Sequence, residues 1–186
     1  MMTEISLNIL DVAQNSVRAD AGLITISVTV DSKDDKLVVS IEDDGCGMSK
    51  EQLESVTDPF FTTRTTRKVG LGIPFYKQAA EDTGGSFEIC SEVGKGTTVT
   101  AVFVLSHIDR MPLGDISSTI HSLITMNQHI NFIYRYQVDD KSFQVDTRQL
   151  RDILGDVPFD TPEVSGFIED YLRENKAEVD GANIVL

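Results

Sequence analysis

The sequence predicts a two-layer α/β sandwich, a mixed sheet with helices on one face, followed by a smaller α/β extension. Three observations point there. A helical repeat of apolar residues opens the chain, two alternating runs follow it, and a second helix precedes two more such runs. At 186 residues there is room for one substantial core with an appendage. An apolar fraction of 40% and a charged fraction of 25% are those of an ordinary globular protein, which excludes a disordered or fibrous chain.

Each element has its own signal. Ile5, Ile9, Val12 and Val17 recur at near-helical spacing over residues 3–19, with Leu10 and Ala13 widening the apolar face. Gly22 follows, and LITISVTV (23–30) alternates as a half-buried strand does. SKDDK is a polar turn leading to a second strand, LVVSIED (37–43). Ser49 and Gln52 have capping-box spacing for a short helix through Leu53. Residues 57–69 lack periodicity and read as a loop. Pro74 suits the first turn of a helix running to about Asp82, where Thr83-Gly84-Gly85 stops it. SFEICSEV and TTVTAVFVL then form a hairpin around Gly94-Lys95-Gly96.

We divide the chain into residues 1–105 and an extension, 106–186. In the extension SSTIHSLITM reads as a helix, and INFIYRYQV and SFQVD pair across Asp139-Asp140-Lys141. TRQLRDIL is a further helix, and Thr161-Pro162-Glu163 caps a last one through about Arg173. The extension matches no motif, so extending the core, dimerising and docking a partner all stay open.

Charge and cysteine use narrow the function. A net charge of −14, spread over both halves, repels a phosphate backbone, so nucleic acid is not an expected partner. The first residues carry an early acid and no run of the roughly 20 apolar residues that a membrane span needs. A cytoplasmic protein with no membrane partner is the expectation. Cys46 and Cys90 lie far apart and give no disulfide framework, and the His and Cys residues show no metal-ligand spacing.

Four short boxes carry the chemistry. In the first, LDVAQNSVRADA, Asp11, Asn15 and Arg18 are spaced by four and three residues and share one helical stripe. The Asn15 amide oxygen can ligate a hard cation such as Mg²⁺ without adding charge, and Arg18 can donate to a phosphate. The same stripe also reads as a plain solvated face. In the second, IEDDGCGM, the Asp43 carboxylate can accept from an exocyclic amine, while Gly45 and Gly47 let backbone approach a flat base and adopt positive φ. An acidic turn is the bland alternative, with Asp44 facing solvent and Cys46 a small packing residue. The third, Gly70-Leu71-Gly72-Ile73-Pro74, enters a helix whose free amides make an anion site. The fourth is Gly94-Lys95-Gly96-Thr97-Thr98. It is not a P-loop, because Ile89 stands where the first glycine belongs and Gly96 follows the lysine.

Taken in order, the boxes resemble the nucleotide-binding domain shared by sensor histidine kinases, type II topoisomerases, the Hsp90 chaperones and the MutL repair proteins. This GHKL superfamily has the Bergerat type of α/β sandwich, and the resemblance covers roughly residues 3–105. It implies ATP and Mg²⁺ as ligands, with Asn15 as the magnesium-binding residue. It makes Asp43, Gly45 and Gly47 the adenine site and has the Thr97 hydroxyl support Asp43. DPFFTTR is most similar to the lid of histidine kinases, with Phe60 and Phe61 anchoring it. Thr62, Thr63, Arg64, Arg67 and Lys68 would then close over the triphosphate, whose oxygens Gly70, Leu71 and Gly72 approach. Lys68 stands where many relatives carry another glycine.

Asp11 departs from the pattern, since ATP-hydrolysing members place a Glu there to activate water. One methylene shorter, Asp11 is the candidate catalytic residue for slow hydrolysis, or it orders magnesium-bound water. The resemblance implies an ATP-binding stand-alone kinase subunit that passes the γ-phosphate to a partner protein. An ATP-hydrolysing conformational switch and a non-catalytic ATP-sensing module are the alternatives. The partner is an unidentified phosphoacceptor, and a homodimer is an open option. His121 in IHSLIT echoes a phosphoacceptor box without its following acid, and otherwise reads as an ordinary histidine.

Overall fold

Ile5, Ile9, Val12 and Ala13 fall on one side of the first helix, and all are buried. A computed structural model describes residues 2–57, 72–182 and 186. In chain order the elements are α1 (Ile5–Arg18), β1 (Leu23–Asp31), β2 (Lys36–Asp43), α2 (Lys50–Thr57), α3 (Gly72–Glu81), β3 (Ser86–Glu92) and β4 (Gly96–Val104). Then come α4 (Ile116–Met126), β5 (Asn131–Val138), β6 (Lys141–Asp146), α5 (Thr147–Leu154) and α6 (Pro162–Asp180). The loop expected over 57–69 lies almost wholly outside the described residues, and only its first residue, Thr57, is seen, closing α2.

The strands form one six-stranded sheet in the order β3-β4-β2-β1-β5-β6. Neighbours are antiparallel except β1 and β5, which run parallel, so the sheet is mixed as expected. Period-two alternation sets the register. Val28 of β1 lies beside Val39 of β2 and Tyr136 of β5, and Val39 lies beside Ala101 of β4. All four are buried, which makes one continuous apolar face. Helices α1, α3, α4 and α6 pack on that face, and α4 lies between α1 and α6. The opposite face carries half-exposed hydroxyls, among them Thr25, Ser27, Ser40 and Thr100.

Residues 106–186 therefore contribute strands to the same sheet as residues 1–105. The open options for the extension included this one, and the reason is legible in β1. Both edges of β1 need partners, and β5 supplies the second with Phe132, Tyr134, Tyr136 and Val138 all facing the helices. Helix α6 runs to Asp180, about two turns beyond the expected end, because Val179 and Leu172 are buried on the same stripe and only Gly181 at φ 63 breaks it. The capping box at α2 forms as read. Ser49 N donates to Gln52 Oε1 at 2.8 Å, and Gln52 N donates to Ser49 Oγ at 3.3 Å. Helix α3 begins at Gly72, two residues before Pro74, which leaves the proline in the first turn where its missing N–H costs nothing.

The junction of β6 and α5 is held by two side chains. Thr147 Oγ1 accepts from the buried Phe132 N at 2.8 Å. Asp146 Oδ1 accepts from Arg148 N at 2.9 Å, and its Oδ2 accepts from Arg148 Nη2 at 2.7 Å. The Arg148 hydrogen bond holds the Asp146 carboxyl below its ordinary 3.8. A carboxyl lowered on folding stabilises the native state above its unfolded value and loses that contribution as pH falls through the folded one. Asp146→Ala is expected to cost about 1–2 kcal/mol at pH 7, the usual range for a lost cap. Urea unfolding of both proteins should show the gap narrowing below pH 3.8. An equal gap at both pH values would reject the assignment.

Candidate functional site

The inward face of the sheet turns polar in its last row. Across β3, β4, β2 and β1 that row reads Ser91, Thr97, Asp43 and Ile24, paired in register. Asp43 is buried beneath the C-terminal half of α1 and is held from three directions. Ser16 Oγ donates to its Oδ2 at 2.5 Å, while Gly45 N and Thr97 N donate to its Oδ1 at 2.9 and 3.3 Å. An ionised carboxylate offers about four acceptor sites, so these donors fix its plane and leave capacity for one more.

Ser16 was not among the residues singled out from the sequence. Its signal was there. Residues 9, 12, 13 and 16 share the inward stripe of α1, so a hydroxyl at 16 is a polar group committed to the core. Thr97 departs from expectation. Its backbone amide, not its hydroxyl, reaches Asp43, while Thr97 Oγ1 lies 2.8 Å from Ser91 Oγ. The register explains this, because Thr97 stands opposite Asp43 on one side and Ser91 on the other. Asp44 is exposed, as expected, and its Oδ1 also accepts from Gly22 N at 2.7 Å and Leu23 N at 2.9 Å, closing the turn from α1 into β1.

The glycines of the second box serve the protein's own packing. A Cβ on Gly45 would stand 2.7 Å from the Ala19 carbonyl oxygen, and Cys46 N donates to that oxygen at 2.9 Å. Gly45 is thus required by contact with the end of α1 and does not take positive φ. Gly47 does, at φ 65, and a Cβ there would overlap the Glu92 carbonyl. Gly94 N donates to Cys46 O at 2.8 Å and Met48 N to Ser91 Oγ at 2.9 Å, so the β3–β4 turn is bound to the second box. Gly96, at φ 112, abuts the Asp43 carbonyl.

Asp11, Asn15 and Arg18 share the accessible side of α1. Arg18 Nη1 donates to Asn15 Oδ1 at 3.2 Å. The Asp11 carboxylate lies directly against the Cα of Gly72, where a Cβ would overlap it, so the first box meets the start of α3. A carboxylate there is favoured by the helix dipole and by the amides of the first turn. Thr62, Thr63, Arg64, Arg67, Lys68, Gly70 and Leu71, with Phe60 and Phe61, lie outside the described residues. Among the described residues no group of three or more His, Cys, Asp or Glu is arranged to hold a metal, and no helix is long and apolar enough to cross a membrane. His121 sits between α4 and α6, with its Nε2 2.8 Å from Ser165 Oγ.

Comparison with known proteins places this geometry. The family model of the histidine kinase-, DNA gyrase B- and HSP90-like ATPases matches residues 2–107. The chain belongs to that family, and its α/β sandwich is the family's ATP-binding domain. The sensor histidine kinase ZraS of Escherichia coli is 31% identical over 99 residues, 53% of this chain and 20% of ZraS. The sensor protein SrrB of Staphylococcus aureus is 33% identical over 102 residues, 52% of this chain and 17% of SrrB. The chain thus spans about a fifth or less of these relatives. Among solved structures, the N-terminal domain of a DNA repair protein aligns with 97% of this chain and 58% of its own, at TM-score 0.58 and 14% identity. The Aquifex aeolicus MutL ATPase domain complexed with ADP covers 83% of this chain and 70% of its own, at TM-score 0.50 and 12% identity. These likenesses concern the fold.

Ser16→Ala removes one donor to Asp43 and leaves the carboxylate in place. ATP affinity is expected to fall about three- to tenfold, in line with roughly 0.5–1.5 kcal/mol for one hydrogen bond. Calorimetric titration checks it, and an unchanged affinity would mean that Ser16 is structural only.

Proposed function

We propose that this protein binds Mg·ATP at the Asp43 site and passes the γ-phosphate to a side chain of a partner protein, as a separate kinase subunit. The observation that carries this reading is the buried Asp43 carboxylate, fixed by Ser16, Gly45 and Thr97 with acceptor capacity to spare. Such a group accepts from an amine at the base edge where adenine carries N6–H2 and guanine carries a carbonyl oxygen, and so distinguishes the two at that edge.

The residues present fit both ligands. Asn15 would hold magnesium through the amide oxygen that now accepts from Arg18, and Arg18, released from it, would turn to a phosphate. The cation when bound neutralises phosphate charge. Gly72 at the start of α3 would receive phosphate oxygens, with Gly70 and Leu71 beside it in sequence, while Thr62, Thr63, Arg64, Arg67 and Lys68 would close the site. Asp11, against Gly72, stands where it can orient water or a phosphoacceptor hydroxyl. That position supports the second reading, an ATP-hydrolysing switch. The likeness to the sensor histidine kinase ZraS and the sensor protein SrrB supports phosphotransfer as the reading. We place the protein in the cytoplasm and leave dimerisation to measurement.

Incubation with γ-labelled ATP and Mg²⁺, alone and with extract fractions as acceptor, tests the reading. Labelled acceptor protein supports the kinase, and free phosphate without labelled protein supports the switch. Two substitutions separate the roles. Asn15→Ala should lower Mg·ATP affinity or turnover at least tenfold, and wild-type values would remove Asn15 from the site. Asp11→Asn should retain nucleotide affinity and lose most of the phosphate release; undiminished release rejects a role in hydrolysis.

A further inference from the structure

Helix α6 buries Val164, Ile168, Leu172 and Val179 against the sheet and turns a different stripe outward. Glu163, Phe167, Asp170, Tyr171 and Glu174 fall on that stripe at helical spacing, and all five are exposed. Phe167 is 56% exposed and Tyr171 39%. Their rings pack against each other, tilted at 34° with centroids 6.0 Å apart. Two neighbouring aromatics in water, ringed by carboxylates, form a contact surface that none of the described residues covers. The nearby cation is already committed, because Arg173 Nη2 pairs with Asp115 at 3.0 Å and Glu169 at 3.2 Å.

Gly166 adds an independent observation. It lies inside α6, its φ is not positive, and a Cβ there would meet nothing within 4 Å. Glycine weakens a helix relative to alanine, and none of the described residues packs against it here. Gly166 lies one turn from Glu163 and Asp170, so its missing Cβ leaves that flank of the stripe open to close approach.

We propose that the outer stripe of α6 is a docking surface for a basic amphipathic helix of another protein. The occupant is set by charge complementarity. Glu163 and Glu174 stand at the two ends of the aromatic pair, about 16 Å apart at 1.5 Å rise per residue. They call for Lys or Arg one turn to either side of two apolar anchors spaced by four residues. A second copy of this chain is disfavoured, because an isologous contact would set these carboxylates against their own kind. The surface is independent of phosphotransfer and of the nucleotide site.

The probe is a fluorescent synthetic helix with leucines at i and i+4 and lysines at i−4 and i+7, followed by anisotropy at low and moderate salt. Phe167→Ser/Tyr171→Ser should weaken binding at least tenfold. Glu163→Gln/Asp170→Asn/Glu174→Gln should weaken it similarly and flatten its salt dependence. Glu88→Gln/Glu92→Gln on the exposed side of β3 should leave it unchanged, which separates this surface from general attraction to an acidic protein. All variants should keep wild-type ATP affinity, which shows them folded. The proposal is overturned if the wild type does not bind the probe, or if the aromatic variant binds it as the wild type does. It is equally overturned if the β3 variant loses as much affinity, or if sedimentation shows the wild type self-associating through Phe167 and Tyr171.

Discussion

The carboxylate of Asp43 is the point on which this molecule's site depends. A charged group on the inward face of a sheet is costly unless its hydrogen bonds are met. Here they are met by three parts of the chain far apart in sequence, the C-terminal end of the family domain's first helix, the turn just after β2, and the start of β4. The arrangement works in both directions. Asp43 brings those parts together, and they hold the carboxylate at the angle at which a ligand must meet it. Tight glycine contacts at 45, 47 and 96 follow from the same requirement, since each lets backbone come close enough to complete the cluster.

Much of this was legible in the sequence, and the parts that were not have a common cause. Helix and strand periods are local, so α1, β1, β2 and the β3–β4 hairpin could be placed within a residue or two. The acidic-glycine box after β2 was likewise visible, because an aspartate ending an alternating strand is an unusual choice. What local pattern cannot supply is register. Only register tells that the Thr97 amide faces Asp43 while its hydroxyl meets Ser91. Asp44 shows the converse. An exposed residue read only as facing solvent is bonded to two backbone amides across the turn. The length of α6 escaped for another reason, since its polar tail NKAEVD has no clear period and is held by tertiary contacts, the buried Val179 side chain and the hydrogen bond that the Tyr136 hydroxyl donates to Asp180.

The extension changes what kind of object the nucleotide site belongs to. Its strands continue the sheet, and its helices α4 and α6 lie on the same face as α1 and α3. Helix α1 is clasped at its beginning as well, where Ile5 N and Ser6 N donate to Pro112 O and Leu113 O at 2.9 and 2.8 Å. Asp11, Asn15 and Ser16 are thus carried on a helix whose near end is fixed by the extension and whose far end rests on Gly45.

The parallel pairing of β1 with β5 also sets a schedule for synthesis. Leu23 of β1 pairs with Asn131, so the innermost strand has an open edge until residues more than 100 positions later leave the ribosome. At ordinary elongation rates that interval is on the order of ten seconds. Throughout it the nascent chain presents an alternating, β-branched edge, LITISVTV, which is the kind of surface that templates aggregation. The segment matching the family ends at residue 107, before that edge is covered. A gene fragment cut at the boundary of sequence similarity would make the exposure permanent. The sheet to which the nucleotide site belongs is therefore completed by strand pairing well past residue 107, where the family match ends.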